Sequence, residues 1–350
     1  MHLIEITKSD PAFPANIIAG EQYLIDDINA GEMLAKRQCK VLEHLGHGII
    51  KSELGPRVEG FEEGAILLIR AGGFGDLLFM TPTIRELKKS FSKVAVACFN
   101  RYRHAATGEC DHFEEYPTVK SIAQSYGTVI GFDGIMENEW PELDAERIHA
   151  IDLFAQACGV KLTDRSLSIK EPDQTWLTKQ QWAKEGRKRI GIQVYSSSIV
   201  RTYPERMTGE LILTLSNMGF EVFLFGAPGE IRTSQNAPAT VVNLSQWNLT
   251  FEQSIALLST CDALIAPDSS LCHAAAALKI PTVALYGPFP SSLRVSDKCI
   301  RPIDGQMKCA PCFTHGYALP KNKKCSQLGY CEALANIPVK KIITTLKTIL

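Results

Sequence analysis

Two aspartates, a histidine and a run of serines stand where this chain could do chemistry. Ala266-Pro267-Asp268-Ser269-Ser270-Leu271-Cys272-His273 follows the apolar run Ala263-Leu264-Ile265 and precedes Ala274-Ala275-Ala276-Ala277-Leu278. The order reads as a buried strand, a polar helix start and a tightly packed helix. Asp and Ser oxygens satisfy the orphan amides of a helix start. The same amides and the helix dipole suit a phosphate. Both readings, a cap or an anion site, fit the stretch. Lys279 to Pro288 then gives a turn, a strand and a Gly-Pro stop. That completes a βαβ unit with its polar groups at the carboxyl edge of the sheet, where open α/β sheets bind ligands.

A second carboxylate has a similar setting. Ala65-Ile66-Leu67-Leu68-Ile69-Arg70 reads as a buried parallel strand. Gly72, Gly73, Gly75 and Asp76 follow, then a helix expected from about Leu77 to Ser90. The loop is no Walker loop, because no Gly-Lys-Ser/Thr ends it, and it is too compact for G-x-G-x-x-G. Asp76 reads as a helix cap or a base. Further on, Tyr195-Ser196-Ser197-Ser198 and Arg201 follow the strand Arg189 to Val194. Hydroxyls and a guanidinium there suit a phosphate or belong to a solvated loop. Glu230 closes the turn Gly226-Ala227-Pro228-Gly229 after the strand Glu221 to Phe225. A carboxylate in that place can accept hydrogen bonds from ribose hydroxyls.

Cys309-Ala310-Pro311-Cys312 is a C-x-x-C pair, and Cys325 and Cys331 follow it. Four thiolates so spaced suit a tetrahedral structural zinc or iron, with His315 able to replace one of them, or they are free thiols. The other seven cysteines are scattered, which points to reduced thiols in a cytoplasmic protein.

The elements that position these groups fall into three parts: a small β-rich appendage and linker at 1–60, a first doubly wound α/β domain at 61–175, and a second at 176–350 with the Cys-rich segment 309–331. The two α/β domains are expected to face a cleft. Strands are expected near 3–7 and 17–25, a helix near 30–39, and a last helix from Val339 to Leu350. A chain of 350 residues with 45% hydrophobic and 21% charged residues can bury a large core. Its formal charge of -1 gives no electrostatic ground for nucleic acid as a partner. No apolar run reaches the roughly 20 residues of a membrane helix. Met1-His2-Leu3-Ile4-Glu5-Ile6 lacks a basic start, so no secretory signal is expected.

Four blocks, in order, carry a family resemblance: Ile66 to Pro82, Gly191 to Pro204 ending R-T-Y-P, Phe225 to Glu230, and Ala266 to Pro288. The chain resembles glycosyltransferase family 9, the heptosyltransferases of lipopolysaccharide core assembly. The resemblance runs from about Ala65 to the C-terminus. It implies a GT-B type fold of two Rossmann-like domains, with the acceptor on the first and the sugar nucleotide on the second. It implies inverting transfer from ADP-heptose or a related nucleotide sugar without a catalytic cofactor. The acceptor would be a glycan, a glycolipid or a protein, with peripheral contact at the inner membrane if it is a glycolipid. Asp76 matches the family's general base. Arg201 matches the basic residue that meets the leaving diphosphate, with Tyr203 where the family has Trp. Glu230 matches the ribose ligand, and Asp268 and His273 the donor-sugar contacts. Ser269, Ser270 and Leu271 match the segment whose amides hold the diphosphate. Related autotransporter heptosyltransferases carry an iron-binding finger at the cysteines. The alternative is a catalytically silent sugar-nucleotide-binding or scaffold protein of the same fold. Intact Asp76, Arg201, Glu230, Asp268 and His273 favour the enzyme.

Overall fold

The computed structural model of the chain describes residues 1–8, 17–36, 38–45, 48–49, 54, 56, 58–140, 142–179, 186–193, 195–232, 237–314, 325 and 328–350. Val194, His315 and most of the 46–57 linker lie outside them. The chain forms two compact units, Met1–Arg165 and Ser166–Leu350. Each is an α/β unit with a mostly parallel sheet, and the first also holds a β-rich N-terminal sheet, as the sequence led us to expect. Among the described residues no helix is long and apolar enough to cross a membrane.

The strands of the first unit are β1 (His2–Ile6), β2 (Gln22–Ile25), β3 (Cys39–His44), β4 (Gly48–Ile49), β5 (Glu62–Ile69), β6 (Lys93–Cys98), β7 (His112–Glu115), β8 (Thr118–Val119) and β9 (Tyr126–Gly131). They make two sheets, ordered β3-β1-β2-β8 and β4-β9-β5-β6-β7. The first is antiparallel. In the second, β9, β5, β6 and β7 run parallel, with β4 antiparallel at the edge. Leu67 and Ile69 of β5 and Ala95 and Ala97 of β6 alternate onto one face. There they join Met1, Leu3, Tyr23 and Leu24 in one buried cluster. The N-terminal residues therefore share a core with the parallel sheet. The first of the parallel strands in sequence, β5, has β6 on one side and β9 on the other. Its carboxyl end is a topological switch point, where such sheets open a crevice.

The second unit contains β10 (Arg189–Gln193), β11 (Glu221–Phe225), β12 (Val241–Asn243), β13 (Ala263–Pro267), β14 (Thr282–Tyr286) and β15 (Ile300–Asp304). Their order is β12-β11-β10-β13-β14-β15, and every neighbouring pair is parallel. This is the doubly wound order, with its switch point between β10 and β13. The last helix runs Val339–Lys347. Val339, Ile342, Ile343 and Leu346 recur at helical spacing and pack on the sheet with Ile190, Ile192, Val222 and Leu224. Tyr203 is buried and its hydroxyl donates to the Ile337 carbonyl at 2.6 Å, tying this helix to the loop after β10.

Candidate functional site

In the second unit, the loops after β10 and β13 converge at the switch point. Asp268 directly follows β13, and the next helix is Ser270–Ala277 with Ser269 at its N-cap. Ser269 makes no side-chain cap bond. Its hydroxyl donates instead to the Gln193 side-chain oxygen at the end of β10. The cap reading therefore fails for Asp268 and Ser269, and both are buried. The first turn of that helix carries Ser270 and Leu271, with its amides left for another acceptor.

Asp268 is the hub. His273 Nε2 lies 3.3 Å from Oδ1, while Arg294 Nε and Arg201 Nη1 lie 3.8 and 3.9 Å from Oδ2. Arg201, at the end of a 3-10 turn, also donates from Nη1 to the Asp268 carbonyl at 3.2 Å and from Nη2 to Ser197 Oγ at 3.2 Å. Burial works to raise the Asp268 pKa. The hydrogen bond from His273 and the charges of Arg201 and Arg294 outweigh it and hold the carboxyl well below the usual carboxylate range. Two guanidinium groups gather beside one carboxylate at the sheet edge, a setting that suits a phosphate.

Glu230 stands on the neighbouring strand end, after β11. Its Oε2 accepts from the Ala227 amide at 2.6 Å and its own amide donates to the Ala227 carbonyl at 3.0 Å, closing the turn. Gly226 leaves room for that carboxylate, since an added Cβ would meet Glu230 Oε2 at 3.0 Å. The Gly229 amide donates to the Ser245 carbonyl at 2.8 Å, which braces the turn against the segment after β12.

In the first unit, the helix after β5 runs Phe74–Leu87 and starts three residues before the expected Leu77. Gly73 is its N-cap and Asp76 lies inside the first turn, so Asp76 is no cap either. Pro82 sits within this helix and lacks an amide for the Leu78 carbonyl. The Thr81 hydroxyl takes that carbonyl at 2.7 Å, which lets the helix continue. Asp76 is 22% exposed and is fixed by Arg70 at the end of β5, whose Nη2 donates to Oδ2 at 2.8 Å. Gly72 is obligatory here: an added Cβ would fall 2.3 Å from both Arg70 Nε and Asp76 Oδ2. Gly75 belongs to the helix and Gly73 keeps open space beside it.

Sequence reasoning assigned no role to Arg70, Gln193, Glu137 or Arg294. Arg70 carried a readable signal, a charge closing an otherwise apolar strand. Arg294, between Leu293 and Val295, carried only its apolar flanks.

Of the described cysteines, Cys312 and Cys331 lie against the loop after β14. The Cys312 amide donates to the Pro288 carbonyl at 2.9 Å, and Cys331 Sγ would meet a Cβ on Gly287 at 3.1 Å. Burial raises the Cys331 pKa, and the neighbouring Cys312 and Cys309 raise it further. These three thiols share one neighbourhood. Among the described residues, however, no group of three or more His, Cys, Asp or Glu is arranged to hold a metal ion, and Cys325 adds no such group.

The sequence model of glycosyltransferase family 9 (heptosyltransferase) matches residues 143–322, which hold the Asp268 cluster and Glu230 but not Asp76. Lipopolysaccharide heptosyltransferase 2 of Salmonella typhimurium is 30% identical over 161 residues. The match covers 43% of this chain and 43% of that protein, so less than half of the relative's length. The structure of E. coli ADP-heptose lps heptosyltransferase II superposes with a TM-score of 0.62 at 19% identity, covering 81% of this chain and 98% of that one. The iron-containing dodecameric heptosyltransferase TibC of enterotoxigenic E. coli H10407, in complex with ADP-D-β-D-heptose, gives a TM-score of 0.61 at 12% identity. It covers 89% of this chain and 78% of its own. At these identities the structural likeness concerns the fold.

Proposed function

This chain belongs to glycosyltransferase family 9, and from that membership we propose that it is an inverting glycosyltransferase that moves a heptose from ADP-heptose to a hydroxyl. The acceptor is a bacterial surface glycan of the lipopolysaccharide core type, a glycolipid or a protein. The observation that carries this reading is the group of Arg201, Arg294 and His273 around buried Asp268 at the switch point of the second unit. Its two guanidinium groups suit a diphosphate leaving group. The relatives, heptosyltransferases of lipopolysaccharide, support the sugar and its carrier.

Arg201 neutralises the leaving diphosphate, and the amides of Ser269, Ser270 and Leu271 hold it. Asp268 and His273 orient the sugar, and Glu230 accepts from the ribose hydroxyls. Asp76, oriented by Arg70, takes the proton of the acceptor hydroxyl. That oxygen attacks the anomeric carbon, and the bond to the diphosphate breaks with its electron pair leaving on ADP. One base and one cationic anchor suffice, so the transfer itself takes no cofactor.

The work is placed on the cytoplasmic side, with peripheral contact at the inner membrane when the acceptor is a glycolipid. A structural zinc or iron at Cys309, Cys312, Cys325 and Cys331 belongs to the same reading. It rests on the soft thiol donors and on the C-x-x-C pair of Cys309 and Cys312, the second pair being wider than usual zinc spacing. The test is ADP release from a panel of nucleotide sugars that includes ADP-heptose, with metal analysis of the purified protein beside it. Preferred release from ADP-heptose supports the reading. A protein that binds no nucleotide sugar contradicts it.

A further inference from the structure

Arg70 is 3% exposed and serves two carboxylates with one nitrogen. Nη2 donates to Asp76 Oδ2 at 2.8 Å and lies 3.1 and 3.3 Å from Oε1 and Oε2 of Glu137. Nη1 is committed elsewhere, donating to the Phe132 carbonyl at 2.8 Å. Glu137 lies on the loop after β9 and is 39% exposed. Two anions on one nitrogen repel each other, and the guanidinium between them offsets this.

We propose that Glu137 is a positioning residue of the transfer step, holding the Arg70 guanidinium when Asp76 takes the proton of the acceptor. This rests on Asp76 being the base. A buried cation without a counter-ion is costly. With Asp76 as its sole partner, protonating Asp76 would strip Arg70 of its counter-ion and make proton transfer harder. Glu137 removes that penalty: as Asp76 goes from carboxylate to acid, Arg70 keeps a carboxylate on the same nitrogen. The balance of the step is unchanged. The hydroxyl proton goes to Asp76, the acceptor oxygen bonds to the anomeric carbon, and ADP leaves with the electron pair of the broken bond.

The test compares unaltered protein, Glu137→Gln and Glu137→Asp. ADP release from ADP-heptose is followed with water and with a heptose-deficient lipopolysaccharide core as acceptors, alongside ADP affinity and thermal unfolding. The expected result for Glu137→Gln is a fall in kcat on the order of tenfold, the scale of one charge-assisted hydrogen bond. The KM for ADP-heptose, the ADP affinity and the melting temperature stay unchanged, and Glu137→Asp recovers most of the rate. A Glu137→Gln kcat equal to that of the unaltered protein overturns the assignment of Glu137 alone. So does a loss matched by changes in melting temperature and KM, which marks a structural role. Absence of ADP release from the unaltered protein overturns both this proposal and the transferase reading on which it rests.

Discussion

Arg294 reaches Asp268 inside the second unit, Nε 3.8 Å from Oδ2, with the two side chains only 3% and 5% exposed. The guanidinium lies over the Phe289 ring, 4.5 Å from its centroid, so an aromatic face holds it in register. Arg201 and His273 stay beside Asp268 when Arg294 is replaced, so the carboxylate keeps a counter-ion and the cost falls short of that of breaking a sole buried pair. Arg294→Met is expected to lower the unfolding free energy by about 1 kcal/mol and to weaken ADP binding. Urea unfolding and ADP titration check this. Unchanged stability would show that Arg294 does not balance Asp268.

The pH dependence of stability follows from the same carboxyl. Burial works to raise the Asp268 pKa, but the His273 hydrogen bond and the charges of Arg201 and Arg294 leave it depressed in the folded state. A depressed carboxyl contributes stability that is complete above its unfolded value, about 3.9. That contribution is lost as pH falls below the unfolded value and through the folded one. The difference in unfolding free energy between the unaltered protein and Asp268→Asn should narrow as pH falls below about 4. A difference that widens on acidification would reverse the sign and contradict the ion-pair account.

Gly72 carries a third expectation. A methyl group there would fall 2.3 Å from both Arg70 Nε and Asp76 Oδ2, so Gly72→Ala must displace the pair. A displacement near 1 Å at a reacting group costs about 100-fold in rate. The expected result for Gly72→Ala is a kcat loss of about that size, with ADP affinity unchanged because the proposed donor ligands belong to the other unit. Equal loss of ADP affinity would contradict the division of labour between the two units.

Much of this was legible in the sequence, and the reasons are local. The apolar runs of β5, β10, β13 and β14 are buried on both faces, so composition alone located them. The periodicity of Val339, Ile342, Ile343 and Leu346 marked the last helix. The helix start at Phe74 was missed because Gly73, an N-cap without a side chain, gives no capping signal. Asp268 and Asp76 stood out as polar groups at strand ends. Of the arginines that hold them, Arg201 stood out too, while Arg294 did not and Arg70 showed only as a charge closing an apolar strand. Arg294 lies 26 residues beyond Asp268, and Glu137 lies 67 beyond Arg70. Only the strand order brings such partners together. The same holds for the N-terminal residues, whose side chains complete the core under β5 and β6.

The most direct measurement is ADP release from ADP-heptose by the unaltered protein and by Asp76→Asn, with ADP-heptose binding titrated for both. The account predicts turnover in the unaltered protein and loss of turnover in the variant with donor binding retained. Turnover by Asp76→Asn at the rate of the unaltered protein would contradict it, because the transfer would then proceed without the carboxylate assigned as its base.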